Sequence, residues 1–160
     1  WAESLATASQ AWAQSLIDQN GCNIAHDGNR GAVGENIAMQ WGHPSLVENS
    51  PLRALQGWYD GEKYIGYFGE NASEEIKSMY GYPSARANGH YTQVANRSTK
   101  YVGCGQALKH MESSGESCAI EVCRYIRPGN CGNNENNFME RMLVEETPGC
   151  GEECPTEGCF

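Results

Sequence analysis

Four histidines, His26, His43, His90 and His110, and eight cysteines are the side chains with the widest chemistry in this 160-residue sequence. The cysteines stand at irregular intervals, mostly after position 100, and no two are separated by only two residues. The matched close pairs of a zinc ribbon are therefore missing, and disulfides formed in an oxidising compartment are the reading that remains. Spacing alone selects no pairing among them. Nucleophilic catalysis needs a Ser or Cys beside a base, and neither a GxSxG turn nor another nucleophile signature occurs. His43, next to Pro44, and His110, in a polar stretch, read as exposed residues rather than ligands.

Twenty acidic against eleven basic residues give a formal charge of −9, without a cluster of Lys or Arg. That balance repels a phosphate backbone, which excludes nucleic acid and strongly anionic membranes as partners. No run of eighteen apolar residues exists, so no transmembrane segment is expected. The triplets Asn71-Ala72-Ser73 and Asn96-Arg97-Ser98 are N-glycosylation signals, and N-glycans at Asn71 and Asn96 are expected if the chain is secreted. Without an initiator Met or a signal peptide, the sequence reads as a processed chain or a segment of a longer one.

The elements that must position these residues are legible in part. Leu5, Ala8, Trp12 and Leu16 recur at helical spacing over residues 1–19, and Asn20-Gly21 ends that helix. Residues 22–44 carry Gly and Asn without a sustained period and read as loop, with a short helical turn near Asn36 to Met39. Ser50-Pro51 opens a second helix with an inward face of Leu52, Leu55 and Trp58, and Gly61 stops it. Residues 64–89 read as a long loop with at most one helical turn near Ser73 to Met79. Its aromatics Tyr64, Tyr67, Phe68, Tyr80 and Tyr82 either line an apolar ligand groove or anchor the loop. A short helix after His90 and two strands, Lys100 to Leu108 and Cys118 to Ile126, complete an α+β pattern. Trp1, Trp12 and Trp58 are assigned to core packing, and Trp41 to the wall of a cleft. Residues 1–135 form the domain, and residues 136–160 a cysteine-rich C-terminal extension.

Three blocks resemble the CAP superfamily of cysteine-rich secretory, antigen 5 and pathogenesis-related proteins. They are Gly34-Glu35-Asn36-Ile37-Ala38; Gly89-His90-Tyr91-Thr92-Gln93-Val94 leading to Val102-Gly103-Cys104-Gly105; and Cys123-Arg124-Tyr125-Ile126-Arg127-Pro128-Gly129-Asn130. Ser9 to Ala13, the Cys22 to His26 spacing and Trp58-Tyr59-Asp60 resemble it in the same order. The resemblance implies a secreted, disulfide-stabilised three-layer α-β-α sandwich with a small antiparallel sheet and a central cleft. It also implies a cleft tetrad of His26, His90, Glu35 and a fourth carboxylate. The family places that carboxylate where this chain has Gly61, so Glu62 is retained, with Asp60 as the substitute. One residue is about 100° of helix rotation, which makes the assignment depend on how the helix ends. Asn96 stands where the family has Trp, so that surface is either exposed or filled by another aromatic. The family's first helix would precede Trp1, leaving one packing layer unaccounted for.

Two imidazoles of this kind suit Zn2+ or another divalent cation with water completing the sphere, the carboxylates orienting the ligands. The bland reading is a set of His–Glu hydrogen bonds that supports the fold. Three functions follow from the resemblance: a binding or scaffold module for a sterol, lipid, metal or protein ligand; a structural component of a larger extracellular assembly; and a metal-assisted hydrolase or protease.

Overall fold

The computed structural model of the chain describes residues 1–48, 50–62 and 89–130. Helix α1, Glu3–Gln19, opens the fold. Strand β1, Gly34–Gly42, follows, and then come the short helices α2, Pro44–Val47, and α3, Ser50–Gln56. Helix α3 passes directly into a π turn, Gly57–Gly61. Helix α4, Gly89–Val94, and strands β2, Tyr101–Met111, and β3, Glu116–Ile126, complete the described elements. The expected long loop up to residue 88 with its aromatics, Asn71, residues 131–135 and the C-terminal extension 136–160 lie outside the described residues.

The sheet has the order β1-β3-β2 and is antiparallel throughout. Residues 22–33 carry no helix or strand, as expected, while strand β1 corrects the loop and helical turn expected over residues 34–42. Its residues have modest strand propensity, and what makes them a strand is the free edge of β3, which pairs Gly34 with Tyr125 through to Gly42 with Ser117. The hairpin β2-β3 forms where expected and is longer, closing over residues 112–115 with Gly115 at φ 70°.

Strand alternation divides the sheet between two helical layers. One face turns Ile37, Val122, Ile120 and Ala107 onto Ala13, Leu16 and Ile17 of α1. Helix α1 can lie against β2 because Gly103 and Gly105 have no side chains. A Cβ on Gly103 would run into the backbone of Ala6, and one on Gly105 into that of Gln10. Ser9, in the same contact, donates to the Gly103 carbonyl at 2.9 Å. The other face turns Asn36, Cys123 and Tyr125 toward α3, the π turn and α4. This is a three-layer α-β-α sandwich around a small antiparallel sheet.

Several packing expectations are corrected. Trp1 precedes α1 and is 71% exposed, and Trp12 only flanks the core. Leu52 and Leu55 face outward, while Ala54 and Trp58, four apart, form the buried stripe of α3 and the π turn. Trp41 is exposed and donates to Glu116 at 2.8 Å rather than entering a cleft. Two disulfides are present among the described residues. Cys22–Cys118 ties the segment after α1 to β3, and Cys104–Cys123 joins directly paired positions of β2 and β3.

Candidate functional site

The start of β1 supplies two consecutive residues to the site, and the pleat sends them to opposite faces. Glu35 points to the α1 side, where its side chain is fully buried. The Cys22–Cys118 bridge holds the start of the segment that carries His26 to it. Glu35 Oε1 meets His26 Nδ1 at 2.8 Å and accepts the Asp27 backbone N–H at 3.1 Å. Its second oxygen accepts from Arg124 Nε at 3.1 Å. Arg124, paired with Glu35 across the sheet, also donates from Nη2 to Asp27 Oδ2 at 2.7 Å. Two carboxylates are thus held by one buried guanidinium.

Asn36 faces the other way and donates to the His90 carbonyl at 3.1 Å and to the Tyr125 hydroxyl at 3.2 Å. It fixes α4 beside the strand. His90 Nδ1 meets Glu62 Oε1 at 2.7 Å, and Glu62 Oε2 accepts the Tyr91 backbone N–H at 3.0 Å. Trp58 stacks on the His90 ring with centroids 5.9 Å apart and planes 21° from parallel. The π turn decides which carboxylate reaches His90. Its wider winding ends at Gly61 and delivers Glu62, one position later than the resemblance implies, to the imidazole; Asp60 remains on the exposed side.

The structure therefore arranges the four residues as two like pairs, each an imidazole bound through Nδ1 to a buried carboxylate. A neutral imidazole that donates from Nδ1 carries its lone pair on Nε2. The side chains of His26 and His90 are 59% and 41% exposed. Among the described residues no three His, Cys, Asp or Glu side chains form one metal-binding group. His43 and His110 stand apart, each exposed and bonded to a serine, Ser45 and Ser117.

Asp27 and Arg124 belong to this network, although neither was given a site role from the sequence. The usable signals were that Asp27 follows His26 and that Arg124 lies in the third resembling block, on an expected strand. Desolvation pushes the Asp27 carboxyl up, but the Asn29 backbone N–H and the Arg124 guanidinium outweigh it, with Arg30 adding to them. The net result lies below the ordinary carboxylate value. Burial pushes the Tyr125 phenol up, beyond what the Asn36 hydrogen bond returns.

Asn96 is 5% exposed, which removes the exposed-surface alternative. Its Nδ2 donates to Thr99 at 2.9 Å, so the atom that a glycan would occupy is enclosed, and an N-glycan at Asn96 does not fit the folded chain.

The comparisons with known proteins agree with this architecture. The CAP family, described as the cysteine-rich secretory protein family, matches residues 1–125. Venom allergen 5 of Vespula maculifrons is 32% identical over 142 residues, covering 84% of this chain and 59% of that protein. A Candida albicans protein, repressed by EFG1 protein 1, is 31% identical over 130 residues, covering 81% of this chain and 39% of its own length. The chain thus spans less than two thirds of these relatives. Among solved structures, BmVAL-1 superposes with a TM-score of 0.53 at 22% identity, covering 81% of this chain and 59% of that one. MpPR-1i gives 0.50 at 20% identity, covering 87% and 76%. These two show likeness of fold. With the family matched over most of its length, the chain belongs to the CAP family of cysteine-rich secretory proteins.

Proposed function

We propose that the chain works outside the cell as a binding module, and that its two imidazoles take up a divalent cation such as Zn2+. The disulfides and the family's secretory character support the location. The single observation that carries the binding reading is the repeated arrangement at His26 and His90. Each ring is held at Nδ1 by a buried carboxylate, which leaves Nε2 as an oriented donor. Bound there, the cation would supply Lewis acidity and a water ligand. The chain's own contribution is to orient the imidazoles through Glu35 and Glu62 and to keep both rings open to solvent. Two protein ligands are one fewer than a catalytic zinc centre uses, so binding is weak and reversible.

Isothermal titration with Zn2+ tests this. One ion per chain is expected, lost in the His26→Ala, His90→Ala double variant and weakened about ten-fold or more in Glu35→Gln or Glu62→Gln. A parent protein that takes up no cation removes the reading.

A further inference from the structure

The order β1-β3-β2 leaves the sheet two outer edges, and the chain treats them differently. On the β2 edge, Gln10 Nε2 donates to the Gln106 carbonyl at 2.7 Å and Gln10 Oε1 accepts the Gln106 N–H at 3.0 Å. The Ala2 N–H donates to the Val102 carbonyl at 2.9 Å. A side-chain amide and the start of α1 thus take the place of a further strand there. On the β1 edge, no described residue reaches the backbone of Ile37, Met39 or Trp41 from outside the sheet. Helix α1 packs chiefly over β2 and β3, so it does not stand over this edge.

The register fixes which groups the open edge presents. Gln106 turns both backbone groups outward, so the odd-numbered residues of β2 bond to β3. Carried across β3, the same alternation turns the even-numbered residues of β1 inward and leaves Ile37, Met39 and Trp41 with N–H and C=O pointing out. The side chains of these three share the α1 face, with Ile37 buried and Met39 and Trp41 43% and 47% exposed. Gly34–Gly42 contains no Pro, Lys or Arg, and no bulge interrupts its pairing. Its one charged residue, Glu35, is buried against Arg124. Edge strands are ordinarily blunted by the very features missing from this one.

We propose that β1 pairs antiparallel with β1 of a second copy of this chain, about a two-fold axis at Met39. Met39 then faces its own counterpart, and Ile37 faces Trp41 of the second copy. Residues directly opposite in an antiparallel ladder exchange both backbone bonds when their polar groups point at one another, as these do. The facing side chains are apolar and lie on one face, so the same patch complements itself, as a two-fold interface requires. On the other face Ala38 meets Gln40, again without charge. An uncharged edge recruits an uncharged edge, which favours a second copy over a basic segment drawn by the net charge of −9. The pairing shares no group with the imidazole pairs, so it stands apart from the cation reading.

Sedimentation equilibrium up to about 1 mM protein, with chelator present so that no cation bridges two copies, tests this. A dimer is expected, and it should tighten as salt rises, because two copies of charge −9 repel and salt screens them. Met39→Lys sets two ammonium groups opposite one another at the axis and should weaken the dimer about five-fold or more. Leu108→Lys makes the same change of charge at an exposed position of the β2 edge and should stay within about two-fold of the parent. If Met39→Lys does not fold, amide exchange of the parent decides. The Ile37, Met39 and Trp41 amides should exchange more slowly as protein concentration rises, while that of Leu108 does not change. A parent chain that stays monomeric, equal weakening by the two lysines, or outward amides indifferent to concentration would each overturn the proposal. The last result includes the case in which another segment of the same chain protects the edge.

Discussion

Arg124 is buried and bridges Glu35 and Asp27, so removing its guanidinium strands two carboxylates at once. Arg124→Met is expected to cost about 3–5 kcal/mol in urea unfolding, the range found when one partner of a buried pair is deleted. Asp27 adds a pH signature. A carboxyl held low in the folded state contributes stability that is complete above its unfolded value, about 4, and is lost as pH falls through the folded value. Asp27→Asn should therefore flatten the acid limb of the stability profile below about pH 4, which urea midpoints measured between pH 6 and pH 2.5 will show. At this scale the sequence was informative about His26, Glu35 and His90 through motif resemblance. It assigned no site role to Arg124 or Asp27, because that role comes from a cross-strand register that no local spacing records.

Two short elements decide how the site is aimed. The π turn Gly57–Gly61 shifts the helical phase so that Glu62 meets His90. Deleting Gly57 restores α winding and rotates Glu62 by about 100°, so the His90 tautomer should become mixed while that of His26 does not. Nitrogen-15 spectra of the two imidazoles would separate these outcomes, and an unchanged His90 tautomer would count against the role given to the turn. The second element is the glycine pair on β2. Gly103→Ala or Gly105→Ala must push α1 off the sheet, and a loss of about 2–4 kcal/mol in thermal unfolding is expected, against under about 1 for Gly28→Ala in open space. Periodicity showed α1 and the β2-β3 hairpin because each repeats its own pattern over many residues. It missed β1, whose Gly34–Gly42 segment has no strong propensity and becomes a strand by pairing with β3.

Across the whole molecule, the two described disulfides differ in what they constrain. Cys22 and Cys118 are 96 residues apart in sequence and Cys104 and Cys123 only 19. Loop-closure entropy assigns about 4.7 kcal/mol to the long bridge and about 3 to the short one, so the Cys22→Ser, Cys118→Ser pair should lower the guanidinium midpoint more than Cys104→Ser, Cys123→Ser. The long bridge also anchors the segment that bears His26, so Zn2+ uptake should weaken in the first variant and persist in the second. By itself, the sequence determined the class of the molecule: a disulfide-bonded α+β chain with motifs that point to its family. Only the tertiary structure decided the sulfur pairing, the helix phase that brings Glu62 rather than Asp60 to His90, and the burial of Asn96. Composition and local period act through neighbours in the chain, whereas each of these outcomes depends on which distant backbone lies alongside.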